Sequence, residues 1–128
     1  MRGGPPPGHE WNVEYLSVAQ HEALRFLTTA QYRHMVDQLR SLAREKDPTH
    51  PCTVRVENIE DFWELKDKGG PLGKINVRVF FFLVNDDRTI VVLGAFKKEN
   101  DGLTPPATRV LMRARKRKYL NGEYGAAE

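Results

Sequence analysis

INVRVFFFLVNDDRTIVVLGAFKK, residues 75–98, reads as two β-strands joined by a tight turn. In the first strand Ile75, Val77, Val79, Phe81 and Leu83 alternate with Asn76, Arg78, Phe80, Phe82 and Val84. Successive strand side chains point to opposite faces, so both faces are mostly apolar. A hairpin of this kind is expected at the centre of a sheet, with cover on each side. Asn85-Asp86-Asp87-Arg88 is the turn, because Asn and Asp tolerate turn backbone angles. The return strand runs from Thr89 to Phe96 and ends at Lys97-Lys98. Arg78 is the charged residue inside the apolar run. A buried cation is costly, so Arg78 calls for a partner, an edge position or an incoming anion.

The chain of 128 residues is long enough for one domain with a modest core. Its single cysteine, Cys52, excludes an internal disulfide framework and a Cys-rich zinc site, and fits a reducing compartment. No apolar run approaches the roughly 20 residues of a membrane helix. The N-terminus lacks the apolar core of a signal peptide, so a cytoplasmic protein without membrane association is expected. The net charge is +3, and its placement is uneven. Residues 97–118 carry eight Lys/Arg against Glu99 and Asp101, a local +6 that leaves the remainder at −3. This cationic end points to a polyanion, either nucleic acid or an acidic protein.

Residues 1–10, with the Gly/Pro-rich MRGGPPPG, form an expected flexible leader. The domain spans 11–121, and 122–128 is a frayed tail. Trp11 to Leu16 alternates apolar and polar residues and predicts the first strand. Ser17 is the expected cap of a helix to about Leu27. Thr28 and Gln31 have capping-box spacing, which predicts a second helix to Glu45 with Tyr32, Met35, Val36, Leu39, Leu42 and Ala43 on its buried stripe. The two form a helical hairpin over one face of the sheet. Pro48 and Pro51 stop it. Val54–Ile59 is a possible extended segment, Phe62–Lys66 a firmer strand ending at Gly69-Gly70-Pro71. A polar loop from Glu99 to Thr104 leads to Thr104-Pro105-Pro106, which opens a last, basic helix. The fold class is therefore α+β: a twisted, mainly antiparallel sheet, a helical hairpin on one face and a basic C-terminal helix.

Several stretches together resemble the RelE/ParE toxin superfamily, in particular its HigB-like, phage-derived branch. They are Phe62-Trp63-Glu64-Leu65-Lys66, Val77-Arg78-Val79-Phe80-Phe81, Ile90 to Lys98, the Thr104-Pro105-Pro106 helix start, and a helix ending in Arg115 and Tyr119. The resemblance covers roughly Val54 to Leu120 in specific terms and implies a small RelE-like domain. It implies a toxin of a two-gene toxin–antitoxin system, acting as a ribosome-dependent mRNA endonuclease that leaves a 2′,3′-cyclic phosphate. The implied partners are a cognate antitoxin, the ribosome and mRNA, as a homodimer or a toxin–antitoxin hetero-oligomer. A minority branch poisons DNA gyrase, and a non-cleaving phage-derived binding module is a further alternative, since function lives in the site rather than the fold.

Such RNA cleavage needs the 2′-hydroxyl deprotonated, the phosphate stabilised and the leaving oxygen protonated. No metal and no cofactor is expected. His9, His21, His34 and His50 all precede the catalytic-looking half and read as surface or helix-packing residues. A cationic site remains. Arg78 matches the family's strand arginine and is the expected phosphate clamp; the competing reading is a salt bridge with Glu64. Lys97 and Lys98 end a neighbouring strand, one facing the site and one away. Lys66 stands where the family has a strand arginine, and Glu64 is placed to orient the cations or act as base. Arg115 matches the family's helix arginine. Arg113, Arg117 and Lys118 are expected to grip RNA phosphates, and Tyr119 to stack on a base or pack in the core. Several branches use a His or Tyr for proton transfer where this chain has Lys97-Lys98, which leaves the general base open.

Overall fold

The computed structural model describes residues 4–98 and 102–124. Residues 1–3 of the leader, 99–101 of the expected loop and 125–128 of the tail lie outside the described residues. The protein is α+β, a five-stranded mixed sheet with three α-helices. The elements in chain order are β1 (Asn12–Tyr15), α1 (Ser17–Phe26), α2 (Thr29–Arg44), β2 (Arg55–Ile59), β3 (Phe62–Lys68), β4 (Asn76–Val84), β5 (Thr89–Lys98) and α3 (Pro106–Leu120). A single 3-10 turn, Gly70–Leu72, leads into β4.

The sheet order is β1-β5-β4-β3-β2. The hairpin of β4 and β5 is thus central, and β4 is the middle strand. β1 runs parallel to β5, and every other pairing is antiparallel. The extended segment at Val54–Ile59 becomes β2, the edge strand. Val77, Val79, Phe80, Phe81 and Leu65 are fully buried, as two covered faces require.

Thr28 caps α2 as its spacing predicts. Its Oγ1 accepts from the Gln31 N–H at 3.2 Å, and Gln31 Oε1 accepts from the Thr28 N–H at 3.0 Å. Ser17 does not cap α1; Leu16 holds that position, without a side-chain cap. The leader joins the domain earlier than the sequence suggests. Glu10 and Trp11 both donate their N–H to the Ala43 carbonyl, and Arg88 donates to the Glu10 carbonyl at 2.7 Å while lying 4.5 Å over the Trp11 ring.

β5 has an irregular outer edge. β1 covers only Thr89 to Val92. A bulge in the β4–β5 ladder sets Phe80 opposite Gly94 and Phe81 opposite Val92, leaving Leu93 over. Side chains take up the ladder there. Arg115 of α3 donates to the Leu93 carbonyl at 2.9 Å, and Glu22 of α1 accepts from the Ala95 N–H at 3.2 Å. Arg115 and Glu22 also join as a two-pronged ion pair, at 2.9 and 2.7 Å. Gly94 makes room for this. A Cβ there would stand 2.6 Å from Met112 Sδ and 2.7 Å from the Arg115 guanidinium.

Removing one partner of a buried pair strands the other's charge, so Arg115→Ala should cost about 3 kcal/mol. Glu22→Ala should cost a similar amount, and the double variant clearly less than the two together. Urea unfolding of the four proteins measures this; simple additivity would show that the pair carries no coupling.

Candidate functional site

The site begins with a row across the sheet. Arg55 of β2 lies opposite Lys66 of β3, Lys66 opposite Arg78 of β4, and Arg78 opposite Phe96 of β5. Residues in register share a face, so three cations stand side by side. Arg78 is only 2% exposed. One row further, Asn76 faces Lys98. Lys98 is half-buried on the side of Arg78, whereas Lys97 is exposed and lies opposite Val77 on the other face. The two-residue period separates the two lysines as expected.

Carboxylates attend this row without filling it. The Lys66 ammonium donates to Glu57 and lies 4.0 Å from Glu64. That hydrogen bond from Lys66, helped by the charges of Lys66, Arg55 and Arg78, holds the Glu57 carboxyl below the usual range. Glu64 is 2% exposed and accepts from the Thr104 hydroxyl just before α3. That bond gives Glu64 a structural task in anchoring the start of the last helix.

A cavity of about 310 Å³ lies against this row. β2 pairs with β3 only as far as Arg55, so among the described residues Asp67 and Lys68 run on past the edge strand. The cavity occupies that corner. Its lining includes Arg55, Lys66, Lys68, Arg78 and Asn76, and from α2 His34 and Gln38, with Asp67 between the two groups. Four cations therefore face one acid among the lining residues.

His34 and Asp67 are the residues the sequence did not single out for this place. They are 33 positions apart, on α2 and β3. His34 Nε2 lies 3.2 Å from Asp67 Oδ1 and 3.1 Å from Oδ2; only the Oδ1 approach has hydrogen-bond geometry. A carboxylate only accepts, which makes Nε2 the protonated nitrogen. The Gln38 amide lies 3.3 Å from the same nitrogen. Burial pushes the Asp67 carboxyl above its ordinary range, against the pull of His34. His34 precedes the catalytic-looking half of the sequence, as the other histidines do, which is why it read as a surface or helix-packing residue. The available signal was its i, i+4 spacing to Gln38.

The basic helix is mostly engaged elsewhere. Arg115 is 7% exposed and committed to Glu22 and Leu93. Arg113 pairs with Glu60 and Asp61 in the turn between β2 and β3, and Lys116 with Asp61. Tyr119 donates to Glu14 at 2.9 Å and packs edge-on against Phe82, so it sits in the core rather than free for a base. Arg117 and Lys118 are exposed. The structure thus brings Arg78 and Lys66 into one cavity and sets Lys98 in the adjoining row. Arg113, Arg115 and Tyr119 are held in contacts within the protein. Neither protein-family models nor curated proteins give a match to this chain. Among the described residues, no helix is long and apolar enough to cross a membrane.

Asp67 should weaken the fold at neutral pH. Its carboxyl is raised in the folded state, so the folded protein holds a proton that the unfolded chain releases near pH 4. Stability then falls as pH rises through that window. Asp67→Asn should melt higher than the parent at pH 7, and the advantage should vanish below pH 4 or so. Thermal melts at the two pH values check this.

Proposed function

We propose that this chain is the toxin of a type II toxin–antitoxin system, of the RelE/ParE kind, and cuts mRNA on the ribosome through a metal-free cationic site. The observation that carries this reading is the convergence of Arg55, Lys66, Lys68 and Arg78 on one cavity. Arg78 is 2% exposed and lines this cavity, where its planar fork suits a phosphate. The motifs that resemble the superfamily, in strands 62–66 and 77–81, supply two of these four cations.

In this reading the 2′-hydroxyl of the RNA attacks the adjacent phosphorus. The 2′-O–P bond forms as the P–O5′ bond breaks, giving a 2′,3′-cyclic phosphate and a 5′-hydroxyl. Arg78 offers its planar fork to the phosphate oxygens, where negative charge gathers. Lys66 is the neighbouring charge. The proton of the 2′-hydroxyl passes to a group along the cavity and a proton reaches the leaving 5′-oxygen; Lys66, in the cationic row, is the lining group suited to exchange one. Arg117 and Lys118, exposed on α3, are free to meet ribosomal RNA phosphates. A cognate antitoxin would silence the protein by covering the cavity.

The test is cleavage of translated mRNA by the purified protein, with transcript 5′ ends mapped. Cuts in a fixed codon register support the reading; intact transcripts with ribosomes present overturn it. DNA damage without RNA cuts would point instead to the gyrase-directed branch. Arg78→Ala should lower cleavage by about 100-fold or more. Arg78→Lys, which keeps the charge but loses the fork, should fall between. Circular dichroism on both variants shows whether the fold survives.

A further inference from the structure

We infer that the cavity beyond the end of β2 binds one ribonucleotide, its phosphate on Arg78, Lys66 and Arg55 and its nucleoside against His34 and Gln38. This rests on the RNA reading above and specifies which part of the RNA enters. The volume, about 310 Å³, falls at the small end of ligand sites and suits a single nucleotide rather than a strand.

The two ends of the cavity differ in chemistry. The Arg55–Lys66–Arg78 row is cationic and lies on one face of the sheet. Asp67 points from β3 to the other face, where α2 lies, and meets His34 there. Because β2 stops at Arg55, the cavity passes round the uncovered end of β3 and joins the two. A site for phosphate alone has no use for an amide and an imidazole at its far wall. A nucleoside does. The imidazole ring offers a flat face to a base, and the Gln38 amide offers both donor and acceptor to a base edge.

His34 is prepared for such a role. Its side chain is 20% exposed and is held by an Asp67 side chain that is 10% exposed. Nε2 donates to Asp67, and the Gln38 amide nitrogen stands beside it at 3.3 Å. Asp67 is thus a positioning residue, holding the ring at a fixed angle to the cavity.

Calorimetric titration of the full chain with the four ribonucleoside 3′-monophosphates, and separately with inorganic phosphate, tests this. The nucleotides should bind roughly tenfold tighter than phosphate, a difference of about 1.4 kcal/mol. His34→Ala should bring nucleotide affinity down to that of phosphate and leave phosphate binding unchanged. Arg78→Lys should weaken both. In the unaltered protein, NMR signals of the His34 ring should move with nucleotide and stay in place with phosphate, a readout that does not depend on any variant folding. Nucleotides binding no tighter than phosphate, or a His34 ring indifferent to nucleotide, would overturn the assignment. Binding is read here without cleavage. A protein that binds nucleotide but cuts no transcript loses the nuclease reading and keeps this site; one that cuts transcripts without binding nucleotide loses this site alone.

Discussion

The ion pair between Glu22 and Arg115 holds the layers of this protein together. β1 is four residues long and cannot cover the outer edge of β5. Unsatisfied backbone groups at Leu93 and Ala95 would otherwise be left in a nearly dry place. One carboxylate and one guanidinium meet them, one from α1 and one from α3. The same two groups pair with each other, so each is both charge-balanced and hydrogen-bonded, the condition under which a buried pair is tolerable. The consequences spread outward. α3 is fixed against the sheet at Gly94, and its next turns bring Lys116 over Phe82 and Tyr119 against Phe82 and Glu14. Glu64 and Thr104 secure the other end of the same helix.

α3 reaches from β5 to the β2–β3 turn, and the cationic row lies toward the other end of the strands. Charge is therefore used in two ways. Arg115 and Arg78 are both arginines buried in or beside the central hairpin; Arg115 meets a carboxylate and a carbonyl, and Arg78 stands in register with Lys66 and lines a cavity. Asp67 lines the same cavity. A carboxyl whose burial raises its pKa costs stability at neutral pH, and groups retained at such a cost are commonly functional.

Much of the architecture was legible in local sequence. The hairpin at 75–98, the turn at 85–88, the capping box at Thr28 and the proline-opened helix each rest on a few neighbouring residues. Their local signals agree with the global fold. The site was legible only in part. Arg78, Lys66 and the separation of Lys97 from Lys98 follow from strand period. What local pattern cannot carry is pairing across long sequence distance. Glu22 and Arg115 are 93 positions apart, and nothing near either announces the other. Arg115 was therefore expected near the phosphate, as the resemblance to the family's helix arginine implies. A salt bridge from Arg78 to Glu64 was the competing reading; the register sets Glu64 opposite Phe80, and Glu64 accepts from Thr104. His34 likewise meets its partner Asp67 across 33 positions.

The parallel pairing of β1 with β5 bears on how the molecule comes into being. The first strand made is the one that docks on the last. While the chain emerges from its N-terminus, β1 and α1 have no strand to rest on until β5 is free to fold. Glu22 stays uncompensated longer still, until Arg115 arrives. Docking of β1 and closure of the Glu22–Arg115 pair therefore come late in folding, because contacts between distant parts of a chain are slow to form.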